Sequence, residues 1–256
     1  MPMKEFLYHG QAVGFEADIW EPGPHKVDGH ARCGVPDKKA GHYKAQQEPF
    51  GIPGVLSHGG CSSEVIASPE DREGFFRTEV RATLNNLNVE GGVLTADRIT
   101  LGLVSVYRRQ WFDSGKPHAR RVRVIPHGCS IENLRVKGAP VKDYLPAPFH
   151  YSTDRCEMYL RGDDPEPTTE LEIREAITGS PKRVHYVRNF GRIYFGEWTL
   201  LPSDDWHPIH QIYLVRMALG SPQTGTGGGP GGESMAPAVS PFGVGRPVSL
   251  ALRLFQ

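Results

Sequence analysis

From Phe76 to Asn85 the chain alternates without a break, with Phe76, Thr78, Val80, Ala82 and Leu84 interleaved with Arg77, Glu79, Arg81, Thr83 and Asn85. A period of two puts successive side chains on opposite faces of an extended strand, so this segment is a strand buried on one face. After the break at Glu90-Gly91-Gly92, Val93 to Tyr107 is β-branched and alternates again, which predicts a hairpin partner. Shorter stretches of strand character are Glu5 to Trp20, Arg121 to Ile125 and Asn133 to Val136. Val184 to Leu201, Ile209 to Leu219 and Val248 to Phe255 complete the set.

Glycine (30) and proline (22) together make 52 of the 256 residues, against a usual share of about 12%. Such punctuation suits many short strands joined by loops better than stacked helices. The sequence therefore predicts a mostly β, antiparallel fold: a sandwich or distorted barrel of roughly ten strands, in one domain spanning 1–256. At most two short helices are expected. One is marked by Ser68-Pro69-Glu70-Asp71-Arg72-Glu73, with a capping serine, proline at the first position and acids in the first turn. Thr168 to Pro181 reads both ways: Leu171 and Ile173 alternate like a strand, while Ile173, Ala176 and Ile177 share a helix face. Residues 21–60, rich in Gly, Pro, Lys and His, are expected to be an irregular, loop-rich segment with one short strand. Residues 222–247 hold eight Gly and five Pro and are expected to be a flexible loop insertion between two strands.

The 29 basic and 29 acidic side chains cancel, which argues against a general nucleic-acid or anionic-membrane binder. A local basic patch, Arg108 to Arg123 with Tyr107, Trp111 and Phe112 interleaved, is read as a strand-edge or partner surface rather than a nucleic-acid site. No apolar run approaches the roughly 18 residues of a membrane span. No signal peptide is visible in Met1 to Gly10, so the expected compartment is the cytoplasm, with export or a surface location as the alternative. Four cysteines without a Cys-x-x-Cys pair form neither a disulfide scaffold nor a common zinc module.

Three groups of residues carry candidate chemistry. His58-Gly59-Gly60-Cys61 sets an imidazole beside a thiol across flexible glycines, and His127-Gly128-Cys129 repeats the theme; a thiolate nucleophile needs a nearby base. His25, His30 and Cys33 offer nitrogen and sulfur donors of the kind zinc takes, with His42, His58 and Cys61 further along. Asp204, Asp205, His207 and His210 concentrate carboxylates and imidazoles suited to acid–base work or a metal. Trp206 beside them, with Trp198 and Tyr213, would supply an aromatic platform for a ring-shaped ligand. The Arg161-Gly162-Asp163 tripeptide and the glycines of 225–232 lack the context that would give either a function.

The segments ATLNNLNVEGGVLTADRI (Ala82 to Ile99) and SIENLRVKGAPV (Ser130 to Val141) resemble stretches of uncharacterised bacterial β-rich proteins of the choice-of-anchor surface type. That resemblance implies an all-β fold and a non-catalytic extracellular or assembly role, and it supplies no active-site residues. The leading expectation is thus a non-enzymatic structural or interaction module that meets copies of itself or another protein, with no cofactor. The alternatives are an enzyme or metal-dependent site, zinc or another divalent ion included, built from the loop His, Asp and Cys residues, and a carbohydrate or small-ligand binding module.

Overall fold

The computed structural model describes residues 8–19, 25–36, 39–108, 122–141, 145–162, 167–178, 184–187, 191–201, 209–219 and 246–254. The first half of the chain carries β1 (Gln11–Ile19), β2 (His25–Gly34), β3 (Gly41–Gln47), β4 (Phe50–Ile52), β5 (Leu56–His58), β6 (Cys61–Ser68), β7 (Phe75–Val89) and β8 (Leu94–Arg108). Next come β9 (Val122–Pro126), β10 (Ser130–Glu132), β11 (Arg135–Val136) and β12 (Ala139–Pro140). Two helices follow, α1 (Thr153–Arg161) and α2 (Pro167–Thr178). The chain then returns to strand in β13 (Val184–Val187), β14 (Gly191–Leu201), β15 (Ile209–Leu219) and β16 (Arg246–Leu254).

The β7–β8 hairpin is the spine. It keeps one register from Phe75 opposite Arg108 to Val89 opposite Leu94, and it reverses where Glu90, Gly91 and Gly92 all take positive φ. Along β7 the neighbour is β6 and then β5, with β3 outside β6 and β4 outside β5. Along β8 the neighbours are β9, β10 and β11, with β12 outside β11. These ten strands form one antiparallel sheet. The other sheet runs β13-β14-β15-β16-β1-β2, also antiparallel.

The six-stranded sheet faces the ten-stranded one, β1 and β2 over β6 and β7, β16 over β7 and β8. Val65, Val80, Leu84, Leu101, Leu103 and Phe15 are buried in the core between them. Each fully buried side chain of this kind contributes roughly 1.5–3 kcal/mol. The architecture is an all-β, sandwich-like pair of open sheets, not a closed barrel. Val104 and Val106, on the opposite face of β8, are buried too, because α1 packs across β8 and β9 with Cys156 and Leu160 inward. The segment before α1 seats Pro146 on Gly196 of β14, where an added Cβ would overlap the proline ring.

Local chemistry explains where the structure departs from the sequence reading. Residues 21–60 hold four strands, β2 to β5, instead of irregular connection. They are short or edge strands, and β3 buries neither face fully, so no apolar alternation announces them. Ser68 to Glu73 forms no helix: Asp71 Oδ1 accepts from the Glu73 and Phe75 N–H groups, both at 2.9 Å, and this turn feeds β7 directly. The ambiguous stretch from 168 is helical as far as Thr178, with Pro167 in the first position. α1 is a helix outside the two segments with helix signals; Ser152 caps its N-terminus and Gly162, at φ 89°, closes its C-terminus.

Candidate functional site: a histidine pair between the sheets

His30 on β2 and His58 on β5 come from different sheets and meet, with Nδ1 of His30 3.2 Å from Nε2 of His58. The turn after β5 makes this meeting possible. Gly60 takes φ +108°, a conformation an L side chain rarely adopts, and its N–H donates to His58 Nδ1 at 3.1 Å. The turn is pinned to β7 by Gly59 N–H to Asn85 O (2.7 Å) and Asn85 N–H to Gly60 O (3.0 Å). Aromatic rings close the pair in: Phe15 lies 5.0 Å from the His58 ring, and Phe50 stands edge-on to His30 at 4.7 Å. His58 retains only 3% of its exposure.

These contacts fix the protons. Because Nδ1 of His58 accepts from Gly60, the neutral ring carries its proton on Nε2 and donates it to Nδ1 of His30. His30 in turn carries its own proton on Nε2. Burial, reinforced by the neighbouring His30, pushes His58 down to about 4, and burial lowers His30 as well. The same tautomer logic bears on metal binding. His58 presents an N–H, not a lone pair, toward His30, so this pair is built as a hydrogen bond rather than as two ligands.

The other candidate residues are placed as follows. Cys61 lies under β1, where a Cβ on Gly14 would come within 2.9 Å of its sulfur; burial pushes its thiol up to about 11. Both His58 nitrogens are engaged elsewhere, so the His58–Cys61 pairing expected from sequence does not form. Cys33 is buried with its thiol raised by burial, and the side chain of His25 lies outside the described residues. Among the described residues no three His, Cys, Asp or Glu side chains gather to hold a metal ion. Trp198 is 2% exposed and donates from Nε1 to His210 Nδ1 at 3.2 Å, a cross-strand core contact with no open face for a ligand. Burial pushes His210 down to about 4. Tyr213 accepts from Gln211 Nε2. Asp204, Asp205, Trp206 and His207 lie outside the described residues, as do residues 109–121, Asp163 and residues 220–245.

One cluster escaped the sequence reading. Arg77, Glu79 and Arg81 are legible as a polar strand face, yet Glu79 is only 8% exposed. Both arginines pair with it, Arg77 at 3.4 Å, and His127 Nδ1 stands 4.0 Å away. Arg77 also reaches Glu157 on α1 at 2.8 Å. The reason is α1, which roofs this end of the polar face and turns exposed charges into the rim of a helix–sheet contact. Beneath it Cys129 Sγ points to Gly102 O (3.4 Å) and Cys156 Sγ to Pro126 O (3.6 Å). Burial pushes the two thiols up to about 12 and about 11.

Neither a curated protein nor a solved structure matches the chain. A family model described as a domain of unknown function, DUF8256, matches residues 6–154, from ahead of β1 to the first turn of α1. The match takes in the histidine pair, the β7–β8 spine and every strand of the ten-stranded sheet. It covers more than half of the sequence, and the chain belongs to the DUF8256 family.

Proposed function

We propose that this chain is a non-enzymatic interaction module that associates with itself or with another protein through its sheet edge. The observation that carries the reading is β13. It is the outermost strand of the six-stranded sheet, and among the described residues no strand pairs its far side. It displays Tyr186 at 68% exposure, with the Arg192 guanidinium 5.2 Å above the ring. An unpaired edge accepts a further strand, and Tyr and Arg are the residues enriched where protein interfaces concentrate their energy. The state of the reactive groups supports the same reading, since the described thiols are raised and the paired imidazoles are engaged. A binding or assembly role is also what the resemblance to choice-of-anchor surface proteins implies.

The test is native mass spectrometry with light scattering on the wild type and on Tyr186→Lys, which adds an edge-blocking charge without touching the core. The expected result is a defined assembly or captured partner whose affinity drops at least about tenfold in the variant, with unchanged thermal stability. A monomer at every concentration that binds no protein overturns the reading.

A second reading, small-ligand binding, is favoured by a shallow open groove of about 320 Å³ beside the β4–β5 hairpin, lined by Ile52, Pro53, Val55, Leu56, Ser57 and Asn88. Its volume is at the lower end for ligand sites. Protein-observed NMR titration with a panel of small sugars tests it; chemical-shift changes confined to these residues would favour it over the edge.

A further inference from the structure

We propose that the His30–His58 pair is an acid-released latch between the two sheets, in which one added proton breaks a hydrogen bond and frees the β4–β5 hairpin from β2. The geometry leaves an incoming proton no free position. Only two ring nitrogens of the neutral pair have lone pairs: His58 Nδ1, which faces the Gly60 N–H, and His30 Nδ1, which faces the His58 N–H. A proton on either one sets donor against donor and abolishes that bond. On His58, which is buried, the resulting imidazolium lies against the Phe15 and Phe50 rings.

The hairpin is poised to move. Phe50 and His58 are cross-strand partners at its base, and Phe50 also meets His30 edge-on. Beyond that base the hairpin joins the sheet through Leu56 opposite Val89, Ser57 opposite Asn88, and the Glu90 N–H to Val55 O bond. β4 is an edge strand, so nothing pairs its other side among the described residues. One residue beyond His30 the sheets stay joined, because Ser63 Oγ donates to Ala31 O, while Val35 N–H to Gly10 O extends the β1–β2 ladder and keeps β2 in its own sheet. The release is therefore local.

The charged groups on the surrounding elements do not offset the added charge. Glu64 on β6 faces His42, Lys44 and Arg81, and Arg32 on β2 is exposed beside Gly29. Glu16 on β1 is half-buried and Glu48, before β4, is exposed. Cys33 and Cys61 are neutral, raised thiols. Glu90, at the hairpin's far end, acts in the opposite sense, since burial raises its carboxyl and the closed form welcomes its proton. For one imidazole moving from about 4 when closed to 6.5 when open, the opening equilibrium rises roughly twentyfold between neutral pH and pH 5.

Hydrogen exchange of the full chain at pH 7.5, 6 and 5, corrected for the intrinsic pH dependence of exchange, reads the latch directly. Histidine ring NMR over the same range reads the proton. Protection of 50–58 is expected to fall at least about tenfold by pH 5 while β2, β7 and β8 keep theirs, with both rings titrating as the hairpin opens. The control is His30→Asn/His58→Asn: asparagine offers an acceptor oxygen where Nδ1 lies and does not titrate, so acid opening should vanish. Unchanged protection down to global unfolding overturns the proposal. So does an imidazole that titrates near 6.5 with the segments closed, or acid opening that persists in the double variant. If that variant fails to fold, the wild-type exchange and ring titration still decide.

Discussion

Arg77 on β7 holds both oxygens of Glu157 on α1, at 2.8 and 3.0 Å, from the same guanidinium that pairs with the buried Glu79. The helix is thus fastened to the spine strand at a point where a second carboxylate depends on the same residue. Arg77→Ala should cost about 2–3 kcal/mol, because it also strips a partner from a buried carboxylate. Glu157→Ala removes only a half-buried partner and should cost about 1 kcal/mol. Urea unfolding of the two variants and their double mutant measures both; equal costs would mean that Glu79 does not rely on Arg77.

Acid should weaken the whole protein. His58 and His210 are each pushed down to about 4 by burial, from an ordinary 6.5. Between those values the unfolded chain binds protons that the native chain refuses, so stability is full above pH 6.5 and falls as pH drops toward 4. Each histidine contributes up to roughly 1.4 kcal/mol per pH unit in that window. Urea midpoints at pH 7, 6 and 5 should decline in that order, and His210→Asn should flatten part of the slope. Identical midpoints at pH 7 and 5 would contradict it.

Gly102 has no room for a side chain. A Cβ there would land on the carbonyl oxygen of His127, whose N–H donates to Gly102 O at 2.9 Å, so β8 and the chain leaving β9 are pressed together. Gly102→Ala should destabilise by more than about 3 kcal/mol or prevent folding. Gly54→Ala meets nothing within 4 Å and pays only for its φ of +76°, about 1 kcal/mol. Circular dichroism melts of the pair separate overlap from backbone strain.

The thiols should be inert. With Cys61 and Cys156 near 11 and Cys129 near 12, the thiolate fraction at pH 8 lies about two to three orders of magnitude below that of a free cysteine. Native protein should react with an aromatic disulfide reagent at a correspondingly reduced rate, and unfolded protein at the ordinary rate for all four. A single fast native thiol would identify a nucleophile that the geometry does not show.

Much of the spine could be read in advance. The alternation of Phe76 to Asn85, the break at Glu90-Gly91-Gly92 and the matching run to Tyr107 are local signals, and β7–β8 follows them closely. β2 to β5 escape such a reading because each is short or lies at a sheet edge: β3 and β4 bury neither face fully, and β5 is only three residues long. His30 and His58 were each singled out, but their meeting depends on β2 crossing to β5 between two sheets, which spacing along the chain does not encode. The alternation puts Glu79 on the polar face of β7, yet it is buried. Only the docking of α1 decides that.

Gln11 lies opposite Arg253, so the earliest described strand is zipped to the latest one. While the chain is being translated, β1 can pair with β2 at once but must wait for β16 until the ribosome has delivered β2 to β15 and both helices. During that interval the nascent chain carries a bare edge, the kind of surface that chaperones shield and that pairs wrongly with other chains. A fragment cut to residues 6–154 would keep that vacancy permanently, since it contains β1 but not the strand that completes it.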